Sequence, residues 1–371
     1  MTKIVTIVGT RPEIIRLSRV MARLDETVDH VLVHTGQNYD YELNGIFFDE
    51  LGIRKPDYFL DVATTSLGRL LGEILIKTEE VLLKERPDAV LILGDTNSSI
   101  ASIIAKRMRI PVYHMEAGNR CFDENVPEET NRRLVDHVAD FNLVYTEHAR
   151  RNLLAEGLHP RRILLTGSPM KEVLLHHLEQ FSESTILQSL ELTPRSYILV
   201  SAHREENVDN PNRLGQLLDC LEAASERFSL PILVSTHPRT RKHLEDLGRE
   251  VPGVIFHKPM GFIDYVRLQQ DAFCVLSDSG TVSEESSVLG FPAVTLRDSI
   301  ERPEALDTGS IIMTGLDAEN VVEAVQVVVR EHTAGHAIPQ DYAIDNFSER
   351  AVRFILSTYR RHSQWAGLRS S

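Results

Sequence analysis

Twenty residues, His114 to Arg133 (HMEAGNRCFDENVPEETNRR), hold five carboxylates, Glu116, Asp123, Glu124, Glu128 and Glu129, among three arginines, Arg120, Arg132 and Arg133. They follow the apolar run Ile110 to Tyr113 and carry no periodic apolar face of their own. A plain connector has no need of such a mixture. Loops at the carboxyl ends of strands are where α/β proteins bind ligands, so acids and bases gathered there read as a reaction centre, with a solvated loop as the plain alternative.

The same kind of signal recurs after other apolar runs. Leu91 to Leu93 lead into GDTNSS, which puts Asp95 just past a buried strand, where it could serve the chemistry or cap the next helix. Asp95, Glu116 and Glu128 fall after successive strands of one sheet, so they could converge as acid and base. The first strand ends in GTRPEIIR: Gly9 allows a tight turn, Pro12 suits the first turn of a helix, and Arg11 adds positive charge to amides that already favour an anion. It is neither a dinucleotide GxGxxG nor a Walker loop. Further on, Tyr197 to Ala202 end in HREEN and Ile232 to Ser235 in THPRT. His203 and His237 therefore occupy equivalent strand ends, able to donate to phosphate or to carry a proton. Cys274 to Ser277 are followed by DSGTVSEES, in which Ser279 and Gly280 open a helix and form a phosphate cradle, with Glu285 one turn in and able to take a ribose diol. Arg297, Arg302 and Glu304 in RDSIERPEALDTG are a weaker signal, equally readable as a charged loop.

The elements that must position these residues are legible as rhythm. Short runs that are apolar throughout (KIVTIV, HVLVH, AVLIL, VYH, FNLVY and ILL, then YILVSA, ILVS, VIFH, CVLS and AVTL) alternate with helical patterns, which indicates parallel sheets covered on both faces. Leu214, Leu217, Leu218 and Leu221 mark the core face of one helix. The expected organisation is an amino-terminal Rossmann-like domain over 1–173, a linker over 174–194 that closes on Thr193-Pro194, a second Rossmann-like domain over 195–347, and a carboxy-terminal helix over 348–371. Ala351, Phe354, Ile355 and Tyr359 form one face of that helix, which is expected to return to the first domain.

The chain of 371 residues has 42% hydrophobic content, enough for two cores, and no apolar run long enough to span a membrane. A net charge of -14 argues against nucleic acid as partner but leaves room for one phosphorylated small molecule held by local arginines. The start of the chain reads as a buried strand and not a signal peptide. Cys121, Cys220 and Cys274 are scattered and lack metal-ligand spacing, which fits a reducing cytoplasm, and Cys121 reads as a small filler. One half rich in carboxylates and one rich in anion donors point to a nucleoside-diphosphate sugar in an interdomain cleft, the nucleotide on the second half and the sugar facing the first.

At this point a family resemblance emerges. GTRPE (Gly9 to Glu13), GDT (Gly94 to Thr96), EAG (Glu116 to Gly118), PEE (Pro127 to Glu129), NR (Asn131-Arg132), His203-Arg204, DSG (Asp278 to Gly280), EE (Glu284-Glu285) and ERPEA (Glu301 to Ala305) resemble, in order, the motifs of the non-hydrolysing UDP-N-acetylglucosamine 2-epimerases. The resemblance implies a glycosyltransferase-B fold of two Rossmann-like doubly wound parallel-sheet domains with a cleft, a homodimer, no metal and no other cofactor. It implies elimination of UDP from C1 with loss of the C2 proton, then re-addition after reprotonation on the other face. On that pattern Asp95, Glu116 and Glu128 are the catalytic acids and bases, with Arg11 and His203 at the leaving pyrophosphate. Arg16, Arg132, His237, Ser279, Gly280, Thr281, Glu285 and Arg302 bind substrate or UDP. Departures from the family pattern are Arg16 for lysine, HREE with Glu205 for HRRE, TGQN with Asn38 for TGQH, and GSPMKE with Ser168 and Glu172 for GNTxxD. Together they resemble the branch that makes UDP-N-acetyl-L-fucosamine from UDP-2-acetamido-2,6-dideoxy-L-talose for capsule or O-antigen. UDP-N-acetylglucosamine/UDP-N-acetylmannosamine epimerisation is the alternative substrate pair, and a glycosyltransferase using a UDP-sugar donor is the alternative of another class.

Overall fold

The buried apolar runs become strands of two all-parallel sheets in a computed structural model that describes residues 1–36, 45–63, 65–236, 238–249, 251–332 and 338–368. The chain divides into two compact units, one made of Met1–Val173 with Ala343–Ser371 and the other of Leu174–Tyr342.

In the first unit the strands are β1 (Lys3–Val8), β2 (Asp29–His34), β3 (Tyr58–Phe59), β4 (Ala89–Leu93), β5 (Val112–Met115), β6 (Phe141–Val144) and β7 (Ile163–Leu165), in the order β3-β2-β1-β4-β5-β6-β7. The order reverses between β1 and β4, which pair with Ile4 opposite Ala89 and Thr6 opposite Leu91. Parallel strands need crossover helices, and those helices cover both faces, which is why the strands are apolar throughout. One face buries Val5, Ile7, Val33, Val90, Ile92 and Val112 against Ile74, Val81, Leu82, Ala105 and Val135. Each such side chain contributes about 1.5–3 kcal/mol when fully buried.

The second unit holds β8 (Ile198–Ser201), β9 (Ile232–Ser235), β10 (Val254–His257), β11 (Cys274–Ser277), β12 (Ala293–Thr295) and β13 (Ile312–Met313), in the order β10-β9-β8-β11-β12-β13, with its reversal between β8 and β11. Leu214, Leu217, Leu218 and Leu221 pack from the helix Pro211–Phe228 on Ile198, Val200, Ile232 and Leu276. That helix starts where the pattern demands: the Asn210 side chain accepts from the Asn212 amide at 2.9 Å and Pro211 fills the first turn.

Two boundaries differ from the sequence reading. Residues 174–194 are not a free linker. Phe181 stacks edge-on against Phe262 at 5.6 Å, Leu187 joins the second unit's core, and the Ser184 hydroxyl donates to Asp264 at 2.6 Å. Short helices there bury one or two apolar side chains each, too few for a visible period. The chain also rejoins the first unit at Ala343, slightly before the expected 348. The helix Phe347–Thr358 then packs on the helix Arg11–Thr27. Ser348 fixes its start, its amide donating to Glu172 at 2.7 Å, and Thr358 meets the Tyr113 hydroxyl at 2.7 Å near its end.

Candidate active site

In doubly wound sheets ligands bind beyond the carboxyl ends of the strands, at the point where the strand order reverses. In the first unit that point lies between the turns after β1 and β4. These are the turns that carry Arg11 and Asp95, and the turn after the neighbouring β5 carries Glu116.

Asp95 is half-buried and takes Nε of Arg132 at 3.0 Å, while Asn131 donates to the Asp95 carbonyl at 3.0 Å. Both partners come from the helix Pro127–Val138. Glu128 lies three and four residues before them, in the first turn of the same helix. Its neighbour Glu129 has a different task. It is 3% exposed, accepts from Arg132 at 2.6 Å, Arg133 at 3.1 Å and the Cys121 amide at 3.2 Å, and so anchors the loop. Burial pushes that carboxyl up, but the Cys121 amide and the Arg132 charge outweigh it and hold Glu129 below the ordinary carboxylate range. Burial raises the Cys121 thiol, the opposite of what a nucleophile needs.

Glu116 is 8% exposed and its carboxylate pairs with the Arg16 guanidinium from the helix that follows β1. A Cβ built on Gly94 would stand 3.8 Å from Glu116 Oε2, so this carboxylate lies against the residue preceding Asp95. Its backbone has φ of +62°, a left-handed conformation that costs a non-glycine residue about 1–2 kcal/mol. The surroundings hold it there. Asp136, fully buried, accepts the Gly118 amide on both oxygens at 3.1 Å and Arg120 Nη1 at 2.7 Å. His114 lies between, its Nδ1 3.0 Å from Asp136 and its Nε2 donating to the Gly94 carbonyl at 2.8 Å.

Arg11 opens its helix, half-buried, with its guanidinium 5.7 Å from the Phe47 ring centre. Behind it Glu13, 1% exposed, accepts the amides of Gly9 and Thr10 at 2.8 and 2.7 Å and the hydroxyls of Thr10 and Thr96, both at 2.9 Å. Burial pushes this carboxyl up to about 7 against the pull of those donors. The motif reading did not single out Glu13 as a site residue, although Thr-x-x-Glu is the signature of a capping box.

The second unit repeats the scheme at its own reversal point. Asp278, fully buried after β11, accepts the amides of His203 and Arg204 at 3.1 Å and the Asn207 side chain at 3.1 Å, which ties the turn after β8 to its own. The His203 ring is largely exposed, with Nδ1 3.4 Å from Asp278. Ser279 and Thr281 share a hydroxyl hydrogen bond at 2.9 Å at the start of the helix Val282–Leu289. A Cβ at Gly280 would come within 2.4 Å of Arg302 Nη1 and 2.5 Å of Glu301 Oε1, so those side-chain ends would have to move to admit one. Glu285, half-buried in the helix's first turn, accepts from Gln269 at 2.6 Å. Arg302 is 3% exposed and is held by Glu284 and Glu301, so it backs the Gly280 turn and does not project from it. His237 and Asn38 lie outside the described residues. Among the described residues no three His, Cys, Asp or Glu side chains stand together as a metal site, and no helix is long and apolar enough to cross a membrane.

Two parallel-sheet α/β units with sites at both reversal points define a glycosyltransferase-B type fold, shared at a TM-score of 0.57 and 14% identity with Acinetobacter baumannii MurG. Much closer is a structure described as UDP-N-acetylglucosamine 2-epimerase from Rickettsia bellii, with TM-score 0.91 and 46% identity over 98% of each chain. The Methanocaldococcus jannaschii UDP-N-acetylglucosamine 2-epimerase is 36% identical over 339 residues, 89% of this chain and 93% of that protein. A Pseudomonas aeruginosa UDP-2,3-diacetamido-2,3-dideoxy-D-glucuronate 2-epimerase is also 36% identical, over 329 residues, 87% of this chain and 91% of that protein. The profile of the family described as UDP-N-acetylglucosamine 2-epimerase matches residues 22–356. The chain belongs to the UDP-N-acetylglucosamine 2-epimerase family and is an isomerase.

Proposed function

We propose that this isomerase inverts C2 of a UDP-2-acetamido sugar by elimination and re-addition, and that its substrate is UDP-2-acetamido-2,6-dideoxy-L-talose, giving UDP-N-acetyl-L-fucosamine for capsule or O-antigen synthesis. The observation that carries the reaction is the placing of acids at the first unit's reversal point: Glu116 against Arg16 and Gly94, and Asp95 against Arg132, with Glu128 on the same helical face as Arg132. The C2 hydrogen is weakly acidic, so its removal must accompany departure of UDP from C1. One carboxylate takes the C2 proton, the C1–O bond breaks toward UDP, and a 2-acetamidoglycal remains. A proton is then delivered to the other face of C2 while a UDP oxygen re-forms the bond at C1. Asp95, Glu116 and Glu128 supply base, acid and shelter for the positive charge that develops on the sugar. Arg11, His203 and the Ser279–Gly280–Thr281 turn stabilise the charge that accumulates on the leaving pyrophosphate, and Glu285 takes the ribose. The enzyme acts as a cytoplasmic homodimer, a setting in keeping with three free, buried cysteines.

The substrate assignment rests on the departures from the family pattern. Ser168 accepts the Met170 amide at 3.1 Å and Glu172 holds Ser348, so these two shape the first unit without touching the acids. Arg16, on the helix after β1 and paired with Glu116, and Glu205, in the short helix after His203, remain as the variants near the site. UDP-N-acetylglucosamine is the second reading, favoured by the activity for which the M. jannaschii and R. bellii relatives are named. The P. aeruginosa relative, as identical to this chain as the M. jannaschii one, is named for a different sugar, so identity at that level does not fix the substrate. NMR of the products from both candidate UDP-sugars separates the readings. Turnover of the 6-deoxy-L-talose substrate at the higher kcat/KM supports the proposal, and a preference for UDP-N-acetylglucosamine overturns it.

A further inference from the structure

We propose that Glu13 is a positioning residue that sets the distance between the leaving-group cation Arg11 and the acid-base residue Asp95. The inference rests on the elimination reading above and adds to it a residue that touches neither sugar nor UDP. Glu13 stands in the first turn of the helix after β1, yet it reaches the turn after β4. Its Oε2 gathers the Gly9 amide at 2.8 Å, the Thr10 amide at 2.7 Å and the Thr10 hydroxyl at 2.9 Å, and its Oε1 takes the Thr96 hydroxyl at 2.9 Å. Thr10 immediately precedes Arg11, and Thr96 immediately follows Asp95. One side chain therefore holds the backbone just before Arg11 and the side chain just after Asp95.

Of these contacts a capping box needs only the one from the Thr10 amide. The bond to Thr96, 83 residues away in sequence, has no part in starting a helix. The surroundings leave the clamp little slack. A Cβ on Gly9 would strike Ser98 Oγ at 2.1 Å and Thr35 Oγ1 at 2.2 Å, and those two hydroxyls bond each other at 3.1 Å, so the turns after β1, β2 and β4 are in close contact. Four donors converge on this one carboxylate, so its position is fixed from several directions at once. The second unit solves the same problem in the same way, with Asp278 joining the turns after β8 and β11 at its own reversal point.

The decisive variant is Thr96→Val, which keeps the Thr10–Glu13 capping box and removes the link between the two turns together with the Thr96 hydroxyl's own cap on the Ser98 amide, so Glu13→Ala, which leaves that cap in place, is measured beside it. Misplacing a catalytic group by an ångström costs roughly 100-fold in rate, so kcat falls by about that factor while the dissociation constant for UDP stays within about threefold. Thr96→Ser, which restores the hydroxyl, recovers kcat to within about threefold of wild type. Glu13→Ala, which frees both turns, loses at least as much as Thr96→Val. In Thr96→Val, amide hydrogen exchange at 94–98 accelerates about tenfold while the rest of the first sheet is unchanged. Wild-type kcat in Thr96→Val, or a loss that Thr96→Ser fails to restore, overturns the proposal. The exchange measurement needs no substrate: unchanged exchange at 94–98 overturns the clamp whichever sugar the wild-type enzyme accepts.

Discussion

Asp136 is the residue whose removal has the most calculable consequence. It is fully buried and serves two donors at once, the Gly118 amide and Arg120, with His114 Nδ1 3.0 Å away. In Asp136→Ala the Arg120 charge keeps its bonds to Glu156 at 2.7 Å and to the Asn119 carbonyl at 2.7 Å, but one guanidinium nitrogen loses its carboxylate, and the Gly118 amide loses its acceptor. Breaking a buried ion pair from one side costs about 3–5 kcal/mol. Glu116 is also released from its left-handed conformation, which returns about 1–2 kcal/mol of strain locally and moves its carboxylate. The expected net loss is therefore about 1–4 kcal/mol of stability together with roughly 100-fold in kcat. Asp136→Asn keeps one acceptor for Arg120 and can turn its amide toward His114, so its stability loss is smaller, about 1–2 kcal/mol. Trp365, the chain's single tryptophan, packs edge-on to Phe141 at 6.2 Å in the first unit, so its fluorescence during urea unfolding reads the unit that contains the mutation. A loss below about 1 kcal/mol in Asp136→Ala, with wild-type kcat, would refute the view that this buried group holds Glu116 in place.

Other expected outcomes follow from the same geometry. Glu116→Gln, Asp95→Asn and Glu128→Gln each lower kcat by about 10²–10⁴ in steady-state assays, while UDP affinity by calorimetry stays within about threefold. Gly280→Ala drives a methyl into Arg302 and Glu301, and calorimetry should show UDP binding weakened by about 1–3 kcal/mol. His34 accepts the Gly36 amide on Nδ1 at 2.9 Å and stacks on Phe59 at 5.0 Å, and burial lowers its pKa to about 4. The unfolded chain, with a histidine pKa near ~6.5, binds that proton more readily than the folded one, so stability is present above ~6.5 and is lost as pH falls toward about 4. Chemical unfolding should show His34 contributing a loss of about 2 kcal/mol between about pH 7 and about pH 5, a component absent from His34→Phe.

The sheets were legible because parallel strands buried on both faces must be apolar throughout, and runs such as KIVTIV and AVLIL have few other places to go. The edge strands Tyr58–Phe59 and Ile312–Met313 are two residues long, too short to show any pattern. Residues 174–194 read as a linker because short helices that each bury one or two side chains leave no period in the sequence. At the site, residue type and position after a strand identified Asp95 and Glu116 as neighbours of one reversal point. The adjacent Glu128 and Glu129 could not be told apart in role, since burial and partners separate them and not chemistry. The carboxylates that hold backbone were the least visible. Asp136 and Asp278 find their amides 18 and 75 residues away, a pairing set by topology alone. Glu13 left a local trace in its capping box, but its bond to Thr96 did not.

Elimination and re-addition both exchange the hydrogen at C2, and that exchange can be followed directly. Incubation of the wild-type enzyme with its UDP-sugar in deuterated water, with mass and NMR analysis of the product, should place one deuterium at C2 of the epimerised sugar with UDP still attached. A product epimerised without deuterium at C2, or release of free sugar faster than epimer forms, would contradict the assignment of Asp95, Glu116 and Glu128 as the groups that carry that proton.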